Sequence, residues 1–382
     1  MAYRDYRDYR NYCNYMINNI IIVVENDPFP RLLQAFLDPR DDPQRTAAIA
    51  DFVAHDIADY PRWLADARAQ APGLVPAEVR LASSQEELRA ALPGAHAVVT
   101  ESLLMGEAEL ARADQLKVVQ KYGTVLRNID THACAARGIQ VLTLRRRANV
   151  GCAEYAFGLM LMLAKRLNET PNLLSMEQLT AAGFTPQHFD RRYTSNSNWV
   201  RVGGMRNLCG ATLGIIGLGE IGRELATRAH AFGMNIVYHQ RTPLPASDER
   251  EWHAQYRTLD ALLAESDWVC PAVPLTPATR HLLGREQLAR MKAGAALVNI
   301  SRADVVERHA LHDALASGHL GGLGLDTFYE EPGRADDPLL KFRNVIITQR
   351  IAAQPRLNAF GDLAALMAGL ASALSASGCR GI

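Results

Sequence analysis

Along most of the chain, short runs of β-branched and apolar residues alternate with longer segments whose apolar positions recur at helical spacing. The first half reads IIIVVE, a long helical region from Pro30 to Ala71, then VRLA, AHAVVT, LKVVQKYG and IQVLTL. Its first strand is predicted over Asn19 to Val24. Alternation of this kind builds a parallel sheet covered by helices, so a first α/β domain is predicted to extend to about Val150. The segment CAEYAFGLMLMLAKRL, from Cys152 to Leu167, is apolar almost all round. It reads as a helix buried between domains or subunits, or equally as an ordinary core helix. A polar stretch from Asn168 to Asn207 reads as an extended connection anchored by Trp199. A second series follows: ATLGIIGLGEIG, a helix to Phe232, MNIVYHQR, a helix near Leu259 to Ala264, DWVCPAVP, a helix near Arg285 to Met291, AALVNIS, a helix near Glu307 to Ser317, GGLGLDTF and NVIITQ. Six strand-like runs separated by helices make a complete doubly wound domain.

Length and charge agree with this division. A chain of 382 residues exceeds one ordinary core and fits two domains of roughly 100–200 residues each. Its 41 basic residues balance 41 acidic ones, so no overall field draws the protein toward nucleic acid or a membrane surface. Small-molecule work is the better expectation. The six cysteines form no C-x-x-C pair and sit in no His cluster at metal spacing. They read as buried thiols of a reducing cytoplasm, with no metal site. No window approaches the roughly eighteen uninterrupted apolar residues of a membrane helix, and no signal-peptide order is present. Residues 1–15, MAYRDYRDYRNYCNY, repeat Tyr-Arg-Asp with a period of three that suits neither strand nor amphipathic helix. They read as a disordered arm, with translation starting naturally at Met16, or alternatively as a tyrosine-rich binding tail.

The strongest chemical signal lies in LGIIGLGEIGRELATRAHAFGMNIVYHQR. Gly217, Gly219 and Gly222 form G-x-G-x-x-G directly after an apolar strand and at the start of a helix, with a second strand at the proper distance. Gly217 permits the tight turn, Gly219 lets backbone approach a pyrophosphate, and Gly222 lets the helix pack on the strand with its N-terminus toward the phosphates. Glu220 and Ile221 belong to the same cofactor loop. At the end of the second strand an NAD enzyme would place an acidic residue on the ribose hydroxyls. Here stand His239, Gln240, Arg241 and Thr242. No carboxylate repels a 2′-phosphate, and Arg241 can pair with one, so NADP is expected over NAD. The alternative is a solvated Arg241 and an enzyme that accepts either dinucleotide.

From about Leu116 to the end of NVIIT the chain resembles the D-isomer-specific 2-hydroxyacid dehydrogenases, the family of phosphoglycerate, formate and phosphite dehydrogenases and glyoxylate reductase. The blocks LKVVQKYGTVLRNID, AEYAFGLMLMLAKR, the glycine motif, PLTPATRHLL, MKAGAALVNISRADVVE, ALASGHLGGLGLDTFYEEP and NVIIT align in order. The resemblance implies two Rossmann-like doubly wound parallel-sheet domains. A split substrate domain is expected over 16–150 plus 350–382, with a dinucleotide domain inserted at 151–349. It also implies a catalytic arginine at Arg302 in NISRA and a glutamate at Glu331 in the EEP segment. Further cofactor contacts are expected at Val273, Pro274, Thr279, Ile300, Ser301 and Asp326. The family's histidine does not carry over: where the family reads T-P-H, this chain reads Thr348, Gln349, Arg350. Arginine stays protonated at any pH the protein survives and cannot serve as an ordinary acid or base. The substrate-binding loop departs too, reading Lys121, Tyr122, Gly123, Thr124, Val125, with Val125 where the family has a second glycine.

These features lead to an NADP-dependent oxidoreductase acting on a small anionic substrate, with Arg302 as anchor and electrophile and a remodelled pocket around Arg350. Lys121, Tyr122, Tyr155 or water are the candidate proton carriers. A lyase or isomerase using bound dinucleotide transiently is one alternative, and a non-catalytic dinucleotide sensor is another. The family's dimerisation region has a counterpart in the helix from Cys152 and the connection to Asn207, so a C2 homodimer is expected.

Overall fold

The computed structural model describes residues 20–378 except 39 and 41, and within these the chain divides into two compact units. One comprises the residues up to Ala148 together with those from Gln354 onward; the other is Asn149–Ala353. The expected arm at 1–15 and the Met16 start lie outside the described residues.

The first unit is built on five parallel strands: β1 (Ile21–Glu25), β2 (Glu78–Ala82), β3 (Ala97–Thr100), β4 (Val118–Lys121) and β5 (Gln140–Leu142). Their order is β2-β1-β3-β4-β5. Because alternate side chains point to opposite faces, each strand feeds two cores. Ile22, Val24, Ala97, Val99 and Val118 pack with Phe36, Tyr60, Phe360, Leu363 and Met367 on one face. Val23, Val98 and Val119 pack with Leu88, Leu92 and Cys134 on the other. The long C-terminal helix Arg356–Gly378 thus supplies part of the first face.

The second unit holds seven parallel strands: β6 (Thr212–Ile216), β7 (Asn235–His239), β8 (Ala254–Tyr256), β9 (Trp268–Pro271), β10 (Ala296–Asn299), β11 (Gly322–Leu325) and β12 (Val345–Ile347). Their order is β12-β11-β10-β9-β6-β7-β8, with the reversal between β9 and β6. Leu213, Ile215, Trp268, Cys270 and Val298 face the helix Arg147–Lys165. Ile216, Val269, Leu297 and Leu323 face the other way. The two expected doubly wound parallel sheets are both present.

Several local expectations are corrected. The helical region expected from Pro30 to Ala71 is made of separate helices, Leu33–Leu37, Pro43–Val53 and Tyr60–Ala69. Asp42 accepts from the backbone of Gln44 and Arg45, and Asp59 from that of Arg62, so each aspartate starts a new helix. The edge strand β8 was missed because its three residues, Ala-Gln-Tyr, carry no apolar run. The connection after Asn168 contains a helix, Met176–Ala181, closed at its start by a Ser175–Gln178 capping box. Trp199 is only half-buried, against His188. Leu174 and Tyr193 in this connection are 84% and 82% exposed. Cys209 is exposed, contrary to the expectation of buried thiols, whereas Cys134, Cys152 and Cys270 are buried. Among the described residues one helix, over Arg356–Ala376, is by length and composition apolar enough to cross a membrane. Its Phe360, Leu363, Leu366, Met367 and Leu370 are instead at most 1% exposed within the protein core.

Candidate functional site

The dinucleotide loop is shaped by what its glycines leave out. Gly217 follows β6 at φ 97°, and a Cβ there would lie 2.7 Å from Val273 and 2.8 Å from the Ala272 carbonyl oxygen. A Cβ on Gly222 would collide with the Gly217 carbonyl, so the helix Glu220–Ala231 packs against the turn only because this side chain is absent. At Gly219, by contrast, a Cβ would meet nothing within 4 Å. The motif therefore leaves open space at the N-terminus of a twelve-residue helix, which fits a pyrophosphate held by backbone N–H groups. Glu220 and Ile221 begin that helix. After β7, Gln240 turns its amide onto the Thr242 carbonyl at 2.7 Å. Arg241 is exposed and has no ion pair among the described residues. Val273 and Pro274 follow β9, where Thr279 donates its hydroxyl to the Pro274 carbonyl at 2.6 Å.

Ile300, Ser301 and Arg302 follow β10, and a residue not singled out from the sequence shapes this loop. Asn299 is fully buried; its amide donates to the Arg302 carbonyl at 2.9 Å, and its oxygen accepts from the Ser301 backbone and hydroxyl at 2.9 and 2.8 Å. The loop is thereby fixed while the Arg302 guanidinium stays exposed, bonded only to the Ser301 carbonyl at 2.8 Å. No carboxylate pairs with it among the described residues, so its fork remains available to an anion. Beyond β11, Asp326 is 2% exposed. Its carboxylate accepts from the Thr348 hydroxyl at 2.6 Å and from the backbone of Ile351 and Ala352 at 3.0 and 2.7 Å. Geometry thus gives Asp326 a loop-organising role. The loop it holds carries Arg350, whose Nη1 meets both Glu331 carboxylate oxygens at 3.0 and 2.9 Å. The structure therefore brings Arg350 and Glu331 together as a half-exposed ion pair.

In the first unit, Lys121 ends β4. Its Nζ donates to the Glu101 carbonyl and to Asn128 Oδ1. Tyr122 is a core residue, 1% exposed, and burial pushes its phenol up to about 12. Its hydroxyl therefore stays protonated over the ordinary pH range. Gly123 is buried, and Thr124 and Val125 are half-buried in the loop that follows. Tyr155 belongs to the other unit, packed on its core. Sequence reading missed a charged group at the carboxyl ends of β1, β3 and β5. Glu25 accepts hydrogen bonds from the backbone of Glu101, Ser102 and Leu103 and from the hydroxyls of Thr100 and Ser102. Burial alone would raise its carboxyl, but these donors hold it below its ordinary value. Next to it Glu101 pairs with Arg146 at 2.8 Å, and the Arg146 guanidinium lies 4.3 Å from the Tyr122 ring centroid. The only sequence signal for this group was the Arg145-Arg146-Arg147 run just after the IQVLTL strand.

The NAD-binding domain of the D-isomer specific 2-hydroxyacid dehydrogenases matches residues 157–352, just over half of the chain. The chain belongs to this family, and it is an NAD(P)-dependent oxidoreductase of small anionic 2-hydroxy or 2-oxo acids. Among its relatives, glyoxylate reductase of Korarchaeum cryptofilum is 37% identical over 248 residues, 63% of this chain and 68% of that protein. Glyoxylate/hydroxypyruvate reductase B of Yersinia pestis is 33% identical over 293 residues, 76% of this chain and 85% of that protein. In fold, the chain is similar to a Pyrococcus horikoshii protein at a TM-score of 0.55 and 24% identity, covering 92% of this chain and 90% of that one.

Proposed function

We propose that the protein is an NADP-dependent reductase of a small 2-oxo acid in the class of glyoxylate and hydroxypyruvate, working with a remodelled acid/base site. The observation that carries this reading is Arg302: a guanidinium held on a loop fixed by buried Asn299, exposed and without a carboxylate partner among the described residues. Such a fork binds a planar carboxylate bidentately and stabilises charge on the neighbouring carbonyl oxygen. Gly217, Gly219 and Gly222 would hold the dinucleotide, which when bound supplies or accepts the hydride. Arg350, paired with Glu331, stands where the family resemblance would place a histidine; the pair adds a fixed cation and no exchangeable proton.

Two measurements test the reading. Purified protein is expected to consume NADPH with glyoxylate or hydroxypyruvate and to form the 2-hydroxy acid. Arg302→Lys should lose roughly 100-fold or more in kcat/KM, since a point ammonium cannot reproduce the fork. No turnover of any 2-oxo acid, or cofactor cycling without net oxidation, would favour a lyase or isomerase. For the cofactor, NADP(H) should bind more tightly than NAD(H) by roughly 1–3 kcal/mol if Arg241 makes a charge-assisted phosphate contact. Arg241→Ala should erase most of that difference in calorimetry, and equal affinities in the native protein would exclude the preference.

A further inference from the structure

A cationic cavity opens at the amino ends of the strands in the dinucleotide unit. β10, β11 and β12 run parallel, and Gly294, Gly321 and Asn344 stand just before their first residues. These line a cavity of about 470 Å³ together with Arg166, Glu169, Arg206 and Arg343. All of them belong to the unit Asn149–Ala353. The glycine turn follows the carboxyl end of β6, so the cavity lies at the opposite edge of the sheet and is no part of the dinucleotide loop. Three guanidinium groups here meet one carboxylate. Glu169 is already taken, since Arg166 holds both its oxygens at 2.6 and 2.8 Å. Arg206 and Arg343 reach only carbonyl oxygens. Arg206 is half-buried, with its guanidinium 4.6 Å from the Trp268 ring centroid and Nη1 donating to the Gly294 carbonyl at 2.8 Å. Its Nε and Nη2 have no partner among the described residues. Arg343 touches the Ala182 carbonyl only at 3.5 Å. Burial pushes the Arg206 guanidinium below its ordinary value, and Asp267 opposes this without pairing with it. The Asp267 carboxylate is instead bonded to Lys292 and to the Thr212 N–H. Like charges gathered in a partly buried cavity repel with little screening, and an anion would remove that cost.

We infer that this cavity binds a phosphate dianion, carried as the monoester of a small molecule, between Arg206 and Arg343. Two guanidinium charges without a carboxylate match a dianion better than a monocarboxylate. A tetrahedral phosphate offers oxygens to forks that arrive from different elements, whereas one fork fills a planar carboxylate. The volume exceeds that of a bare oxyanion and falls within the range of small-molecule sites, which favours a monoester over free phosphate. The bound anion would also tie the connection from Asn168 to Asn207 to the sheet. Arg206 lies at the end of that connection, where its N–H donates to the Ala164 carbonyl at 2.8 Å. Arg343 stands just before β12 and meets the connection at Asn168 and Ala182. The site depends neither on Arg302 nor on the proposed reductase activity.

The test uses the full chain saturated with NADPH, so that the glycine loop is filled, in a buffer free of phosphate. Calorimetric titration with inorganic phosphate and with glycerol 3-phosphate, against sodium chloride at matched ionic strength, should show saturable binding of both phosphates and none of chloride. Glycerol 3-phosphate should bind more tightly; tighter binding of inorganic phosphate would keep the dianion site and make free phosphate its occupant. A charge-assisted hydrogen bond is worth roughly ten- to a hundredfold in affinity, so Arg206→Met and Arg343→Met should each weaken binding at least about tenfold. Arg302→Lys should leave it unchanged. Melting separates a ligand site from a structural cluster. Without phosphate, Arg343→Met should melt at or above the native temperature, because it removes an uncompensated charge that makes only one long contact. Phosphate should raise the Tm of the native protein by several degrees and that of Arg343→Met much less. Hydrogen exchange over residues 168–207 should slow with phosphate in the native protein. The assignment is overturned by an absence of binding, by an equal effect of chloride, or by phosphate binding that survives both methionine variants. A lower Tm of Arg343→Met in phosphate-free buffer, with its response to phosphate retained, would overturn it too and make the arginines structural.

Discussion

At Arg350 backbone and charge make separate demands. Its φ of 57° lies in the left-handed region, held there by the Ile351 and Ala352 N–H groups that donate to Asp326. Histidine visits this region more readily than bulky residues do, so Arg350→His removes the cation without adding backbone strain. Because the pair with Glu331 is half-exposed, it contributes only about 0–1 kcal/mol to stability. The variant should therefore melt within a few degrees of the native protein. If Arg350 is a working cation, turnover of the native substrate should fall roughly tenfold, about 1.4 kcal/mol. A gain in glyoxylate reduction with native activity intact would show instead that arginine merely fills a histidine's place. The departure at Gln349-Arg350 is readable in the sequence, because it directly follows the NVIIT block on which the family resemblance rests. Asn299 and Glu25 were not visible, since a buried residue that organises a loop is defined by partners brought together only by folding.

Among the elements, the β6 turn and its helix depend on contacts shorter than a methyl group allows. Gly222→Ala would drive its Cβ into the Gly217 carbonyl, which is backbone and cannot swing aside. Overpacking of this kind costs about 1–3 kcal/mol and would displace the helix N-terminus from the turn. We expect a lower Tm and at least tenfold weaker NADPH binding, read by fluorescence titration; unchanged binding would show that the helix can yield. This unit was legible before folding because one local stretch holds the strand, the three glycines, the helix and the next strand. Neighbouring elements were less so. Between Pro30 and Ala71 the apolar spacing is helical throughout, yet Asp42-Pro43 and Asp59-Tyr60-Pro61 restart the helix twice. Capping and proline outweighed periodicity. Strand β8 has no pattern of its own and exists because β7 offers it an edge, pairing Ile236 with Ala254 and Tyr238 with Tyr256.

For the whole molecule, chain order and folding unit do not coincide. The dinucleotide unit is continuous from Asn149 to Ala353, whereas the first unit is completed only by residues from Gln354 onward. Phe360, Leu363, Leu366, Met367 and Leu370 are at most 1% exposed and pack with Ile22, Val24, Phe36 and Val99 in one core. Burying one such side chain stabilises by about 1.5–3 kcal/mol, so the five together approach the roughly 5–15 kcal/mol that holds a domain folded. Deleting residues 356–382 should therefore unfold the first unit while leaving the dinucleotide unit, whose core contains none of these residues. Hydrogen exchange on the truncated protein should show protection lost in β1 to β5 and kept in β6 to β12. NADPH affinity should stay within about threefold of the native value, since the glycine turn and Arg241 lie in the continuous unit. Loss of protection in both units together would mean that the two fold as one cooperative block. Retention of protection in β1 to β5 would mean that the C-terminal helix, apolar as it is, is not needed to complete their core.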